Sequence, residues 1–176
     1  LIRKAGRGSG RLGITSTINW EWLMCVILIV EDNKNLLDVI KYRVEKEGFT
    51  VITAMDGEEG LDKSYVADLI LLDLSLPKMN GDVVLETLRQ SGILTPVIIV
   101  SGDKSVEMRE RVSKLGISDF LTKPFTMNHL MSRIRANVRI GKNISKLQTM
   151  AQESIQQIDS LMLSLTNSGI LQQNYD

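Results

Sequence analysis

The chain has 176 residues, equal numbers of basic and acidic side chains, and a single cysteine. That length suits one domain of roughly 100 to 150 residues with attached segments, and one cysteine excludes a disulfide framework, so a cytoplasmic protein is expected. Residues 24–125 carry 17 acidic against 12 basic side chains, a poor match for direct nucleic-acid binding.

In chain order, residues 1–23 are rich in Gly, Ser and Arg and read as a disordered N-terminal extension, with Met24 standing just before the first periodic element. Arg3, Lys4, Arg7 and Arg11, followed by the apolar residues 23–30, imitate a secretory signal. Glu31 and Asp32 then stand where a small-residue cleavage site belongs, and the run is too short to cross a membrane, so no membrane association is expected. Cys25, at the head of that run, fits a buried thiol acting as a small hydrophobe.

From Met24 onward, short apolar runs alternate with amphipathic stretches, the pattern of parallel strands joined by crossover helices. Strands are expected at residues 26–30, 50–54, 69–72, 97–100 and 119–121. The first, third and fourth are almost wholly apolar and belong in the middle of the sheet. Helices are expected at residues 35–47, 57–64, 82–91, 105–115 and 126–139. Leu36, Leu37, Ile40 and Val44 give the first of these one buried stripe, and Gly48, Gly92 and Gly116 stand where left-handed residues end helices. The result is a doubly wound α/β domain over residues 24–139. No Gly-x-Gly-x-x-Gly follows the first strand, because Glu31, Asp32 and Asn33 stand there, so a nucleotide cofactor lacks its phosphate cradle.

Residues 140–176 form a helical linker or coiled-coil-like tail. Ile144, Ala151, Ile158 and Leu165 fall seven apart, Leu147 and Leu161 take the matching positions, Ile155 and Met162 lie beside them, and Ser154 interrupts the seam. Pairing with a second chain through residues 144–165 is the first reading, and a helix folded back on its own domain is the second. Asn167, Ser168 and Gly169 weaken the helix. The tail is too short for a winged-helix output and shows no helix-turn-helix pair, so direct nucleic-acid binding is not expected; if the chain is a piece of a larger protein, the tail is a linker to an output domain outside it.

In an open parallel sheet, ligands gather beyond the carboxyl ends of the strands, near the point where the winding reverses. Glu31 and Asp32 end the first strand and Asp73 ends the third. If those strands are neighbours, three carboxylates converge, an arrangement that calls for a hard cation such as Mg2+. The fourth strand leads to Ser101, and the fifth leads through Phe120 to Lys123 and Pro124. A carboxylate nucleophile, a magnesium ion, an ammonium and a hydroxyl suffice for phosphoryl transfer.

With these residues in place, the chain resembles the receiver domain of bacterial two-component response regulators. The resemblance rests on ILIVEDN at residues 27–33, LLDLSLPKMNG at 71–81, IIVSG at 98–102 and GISDFLTKPF at 116–125. It implies a flavodoxin-like five-stranded parallel sheet in the order 2-1-3-4-5 with a C-terminal helical extension. It also implies transfer of a phosphoryl group to Asp73 from a phosphohistidine of a sensor histidine kinase or phosphotransfer protein. Transfer and later dephosphorylation would be self-catalysed, with Mg2+ held by Glu31 or Asp32, Asp73 and the backbone carbonyl of Ser75. Lys123 would meet the phosphoryl oxygens, Ser101 would be the switch hydroxyl, and Phe120 the aromatic that changes rotamer with it. Pro124 would hold a Lys-Pro junction that is often cis in the family. Ser101 departs from the commoner Thr and Phe120 from the commoner Tyr, so any signal through that ring is carried by packing. Two alternatives compete. A non-phosphorylated pseudo-receiver would keep the fold without the chemistry. A phosphatase of the haloacid-dehalogenase kind would require a second acid where Ser75 stands, and a cap domain for which this sequence has no segment.

Overall fold

The computed structural model describes residues 24–167. The extension expected at residues 1–23 lies outside them, as do Ser168, Gly169 and the remaining C-terminal residues.

Five strands, β1 (Val26–Val30), β2 (Thr50–Ala54), β3 (Leu69–Leu72), β4 (Val97–Ser101) and β5 (Asp119–Thr122), form one parallel sheet in the order β2-β1-β3-β4-β5. The helices are α1 (Lys34–Lys46), α2 (Gly57–Lys63), α3 (Gly81–Gln90), α4 (Val106–Lys114) and α5 (Met127–Asn167), with a 3-10 turn at Ser64–Val66 after α2. Bounds differ from the sequence expectation by a residue or so, as frayed ends do, except at α5.

Alternation along each strand divides the core between the two faces of the sheet. Ile27, Ile29, Leu71, Ile98 and Val100 pack with Leu37, Ile40 and Val44 of α1 and with Leu130, Met131, Ile134 and Val138 of α5. Leu28, Val30, Ile70, Leu72, Val97 and Ile99 pack on the other side with Val84, Leu85 and Leu88 of α3 and Val112 of α4. Burying both faces is why β1, β3 and β4 read as continuous apolar runs, each side chain contributing about 1.5–3 kcal/mol. Cys25 is buried, and desolvation followed by the neighbouring Asp68 carboxylate pushes its thiol up to about 11, which keeps it protonated and inert. Gly48, Gly92 and Gly116 have φ of 97°, 75° and 78° directly after their helices, the left-handed geometry that ends a helix without a Cβ clash.

The fifth helix does not stop near residue 139. It runs unbroken for 41 residues, roughly 60 Å at 1.5 Å per residue. No proline interrupts it, and Gly141, whose absent Cβ would sit 3.5 Å from Pro96 Cγ, is a lone glycine costing only about 1 kcal/mol in a helix. From Lys146 to Thr166 every described side chain is exposed, so this stretch does not fold back on the domain. The side chains of Ile144, Ser145 and Gln148 lie outside the described residues.

Candidate phosphoacceptor site

The winding of the sheet reverses between β1 and β3, which are hydrogen-bonded neighbours with Val30 level with Leu72. That register brings the residues following both strands to one rim. The Glu31 N–H donates to the Ala54 carbonyl at 3.1 Å and the Asp73 N–H to the Val30 carbonyl at 3.0 Å, so both acids are held by the last rungs of the ladder. Carboxylate oxygens of Glu31, Asp32 and Asp73 lie within 4.8 Å of one another. Glu31 and Asp73 are buried, whereas Asp32 is exposed at the mouth.

Lys123 enters from the end of β5. Its main-chain N–H donates to the Ser101 carbonyl at 2.8 Å, and its peptide bond to Pro124 is cis, as the resemblance implied. Its ammonium donates to Glu31 Oε2 at 2.6 Å and to Asp73 Oδ2 at 2.5 Å. Desolvation opposes the charge on Lys123, but the hydrogen bonds that it donates to Asp73 and Glu31 outweigh it and leave the pKa raised. For Glu31 the balance goes the other way: burial pushes the carboxyl above its ordinary range despite the Lys123 hydrogen bond. The other oxygen of Asp73, Oδ1, accepts the Ser75 N–H at 3.1 Å, so both acceptor oxygens are oriented. Ser101, fully buried, accepts the Asp103 N–H on its hydroxyl oxygen at 3.1 Å.

Two neighbours were given no structural role by the sequence, although Gly81 closes the stretch 71–81 that carries the resemblance. Gly81 begins α3 so close beneath Asp73 that an added Cβ would lie 2.0 Å from the Asp73 carbonyl oxygen, and its N–H donates to the Leu74 carbonyl at 3.0 Å. Only glycine permits that approach, so the Asp73 loop and the α3 N-terminus share one position. The second is Arg109 on α4, whose guanidinium covers the half-buried Phe120 ring at 4.3 Å while donating to Thr122 Oγ1 at 3.2 Å. Arg109 and Phe120 are eleven residues apart on different elements, and no local pattern announces their contact.

The sheet order and the acidic rim define a doubly wound α/β domain with an acidic cluster at its switch point, where ligands gather in such sheets. The family model described as the response regulator receiver domain matches residues 27–135, and the chain belongs to that family. It is 36% identical over 146 residues to the cell cycle response regulator CtrA of Brucella anthropi, an alignment covering 82% of this chain and 63% of that protein. The chain therefore spans less than two thirds of that relative's length. Among solved structures, the CheY-like receiver domain protein from Methanospirillum hungatei matches with a TM-score of 0.65 at 30% identity, covering 68% of this chain and 98% of the other. The receiver domain of the Francisella response regulator 1452 matches with a TM-score of 0.62 at 33% identity, covering 65% and 97%. Receiver domains bind Mg2+ at an acidic pocket, and Glu31, Asp32 and Asp73 form an acidic cluster in this chain. Among the described residues no helix is long and apolar enough to cross a membrane.

Proposed function

We propose that Asp73 accepts a phosphoryl group from a phosphohistidine of a histidine kinase or phosphotransfer protein, and that the modified domain relays the signal by changing its α4-β5-α5 face. The observation that carries this reading is the Lys123 ammonium bridging Asp73 and Glu31 beside the exposed Asp32. A pseudo-receiver gains nothing from that arrangement, and a phosphatase of the haloacid-dehalogenase kind would require a second acid two residues beyond the nucleophile, where Ser75 stands.

In the transfer step, an Asp73 carboxylate oxygen forms the new O–P bond as the donor's P–N bond breaks, and the imidazole leaves with the bonding pair. The Lys123 ammonium neutralises charge on the phosphoryl oxygens, and the Ser101 hydroxyl hydrogen-bonds one of them. The donor set is all hard oxygen, which fits Mg2+: the carboxylates of Glu31, Asp32 and Asp73 with the Ser75 carbonyl would hold the ion, which supplies charge neutralisation. Water attack on the acyl phosphate returns the free carboxylate.

Intact-mass measurement after treatment with a small phosphodonor tests the reading. A single, stoichiometric phosphoryl adduct is expected with magnesium present and none with EDTA. Hydrolysis of many equivalents of phosphate ester, or no adduct at all, would reject it.

Relay to the surface runs through Ser101 and Phe120. Drawing the Ser101 hydroxyl toward a phosphoryl oxygen vacates space for the Phe120 ring, and moving that ring breaks its stacking with Arg109 and disturbs the Arg109–Thr122 hydrogen bond. Ser101→Ala should therefore accept phosphate yet show much smaller phosphate-induced amide shifts from α4 through the root of α5. Shifts of the same size in parent and variant would refute this route.

A further inference from the structure

We infer that the exposed half of α5 pairs with the same stretch of a second copy of this chain as a parallel two-stranded coiled coil, present before any phosphorylation. The root of α5 is fixed to the domain. Leu130, Met131, Ile134 and Val138 are buried, Arg133 pairs with Asp119 at 3.0 Å, and Arg135 pairs with Glu47 at 2.6 Å. The helix continues beyond Val138, every described side chain from Lys146 to Thr166 is exposed, and most of its large apolar groups lie on one side, with Leu163 off it. Leu147, Ile155, Ile158, Leu161, Met162 and Leu165 are exposed by 65%, 52%, 59%, 58%, 53% and 39%, a density of large apolar groups that a monomer rarely leaves in water.

The spacing says what covers them. Leu147, Ser154 and Leu161 form one series of sevens and Ala151, Ile158 and Leu165 another, interleaved at three and four residues. A seam of period 3.5 drifts around a straight helix by about 20° per heptad and stays covered only by another helix supercoiled with it. A flat receiver face or a straight groove would lose contact along its length. Ile158 and Leu161 occupy the two core positions with the β-branched and γ-branched side chains that favour two parallel strands.

Ser154 is the one polar residue on the seam, and its hydroxyl donates to the Met150 carbonyl at 2.9 Å within its own helix. Burying it therefore strands no donor, and the seam closes dry. Between residues 147 and 167 the only charged side chains are Glu153 and Asp159, both off the seam. A different helix would find no charge pattern to select it, whereas a second copy meets only weak repulsion. Parallel pairing places the two domains side by side at one end, oriented by the ion pairs that anchor each helix root. The inference does not depend on phosphoryl transfer at Asp73.

Sedimentation of the full unphosphorylated chain at several concentrations tests the pairing. Dimers are expected well below about 100 micromolar, a concentration scale at which even weak helical pairs associate. Ile158→Asp should sediment as a monomer while keeping the thermal unfolding of the parent domain. Leu161→Cys should give a disulfide-linked dimer on mild oxidation, because like positions face each other only in the parallel register, and buried Cys25 does not compete. A parent monomeric up to about 100 micromolar, an Ile158→Asp protein that dimerises as the parent does, or a dimeric Leu161→Cys protein that fails to cross-link would each overturn the inference.

Discussion

Asp73→Asn should lose the phosphodonor-dependent mass increase completely while keeping its fold. The amide can still accept the Ser75 N–H as Oδ1 of Asp73 does, so the loop geometry is retained and only the nucleophilic charge is removed. The electrostatic consequence is separable from the chemistry. Three carboxylates face one ammonium in the parent, an excess of two negative charges, and the variant reduces that excess to one. At the few kcal/mol that close pairs exchange in a half-buried setting, two lost repulsions outweigh one lost attraction to Lys123, which keeps Glu31 as a partner. In magnesium-free buffer the variant should thus melt no lower than the parent. Added magnesium should stabilise the parent by about 2.7 kcal/mol at a hundred times its Kd, several degrees in Tm, and should stabilise the variant far less. A full, acid-stable mass increase in Asp73→Asn would remove Asp73 from its proposed role.

Lys123→Ala should slow phosphorylation by about 10²–10³-fold, the usual effect of deleting one preorganised donor to a developing oxyanion. The same substitution should tighten magnesium binding. In the parent the ammonium is hydrogen-bonded to Glu31 and Asp73, two of the carboxylates that magnesium would use, so cation and ammonium compete for the same oxygens. Rate and metal affinity therefore move in opposite directions, which a merely structural role for Lys123 would not produce. Stopped-flow phosphorylation and a magnesium titration followed by intrinsic fluorescence or NMR measure the two effects. A Lys123→Ala protein phosphorylated at the parent rate, or one binding magnesium more weakly, would count against this account.

Much of the architecture was legible in the sequence because its signals are local. Continuous apolar runs at Val26–Val30, Leu69–Leu72 and residues 97–100 mark strands buried on both faces, and that burial is what forbids polar alternation. Gly48, Gly92 and Gly116 marked helix ends because glycine adopts the positive φ found there without a side-chain penalty. Glu31, Asp32, Asp73, Ser101 and Lys123 could be singled out because strand ends in such a sheet converge on one rim. The helical period of residues 144–165 was equally visible, although the continuity of α5 through residue 139 was not, since the domain and the tail differ in burial rather than in helical propensity.

What the tertiary structure alone decided are contacts between residues far apart in sequence. Lys123 lies 92 positions from Glu31 and 50 from Asp73, and which carboxylates its ammonium bridges depends on the order and register of β1, β3 and β5. Gly81 resembles any glycine before a helix until the packing of α3 brings its Cα against the Asp73 carbonyl. Arg109 and Phe120 stack only because α4 crosses β5 at that height. The free face of α5 was likewise settled in three dimensions: an amphipathic period says that a stripe wants cover, and only the packed domain shows that its own surface does not supply it. Periodicity and residue type reach as far as each element's own faces, and the pairing of those faces is a property of the assembled sheet.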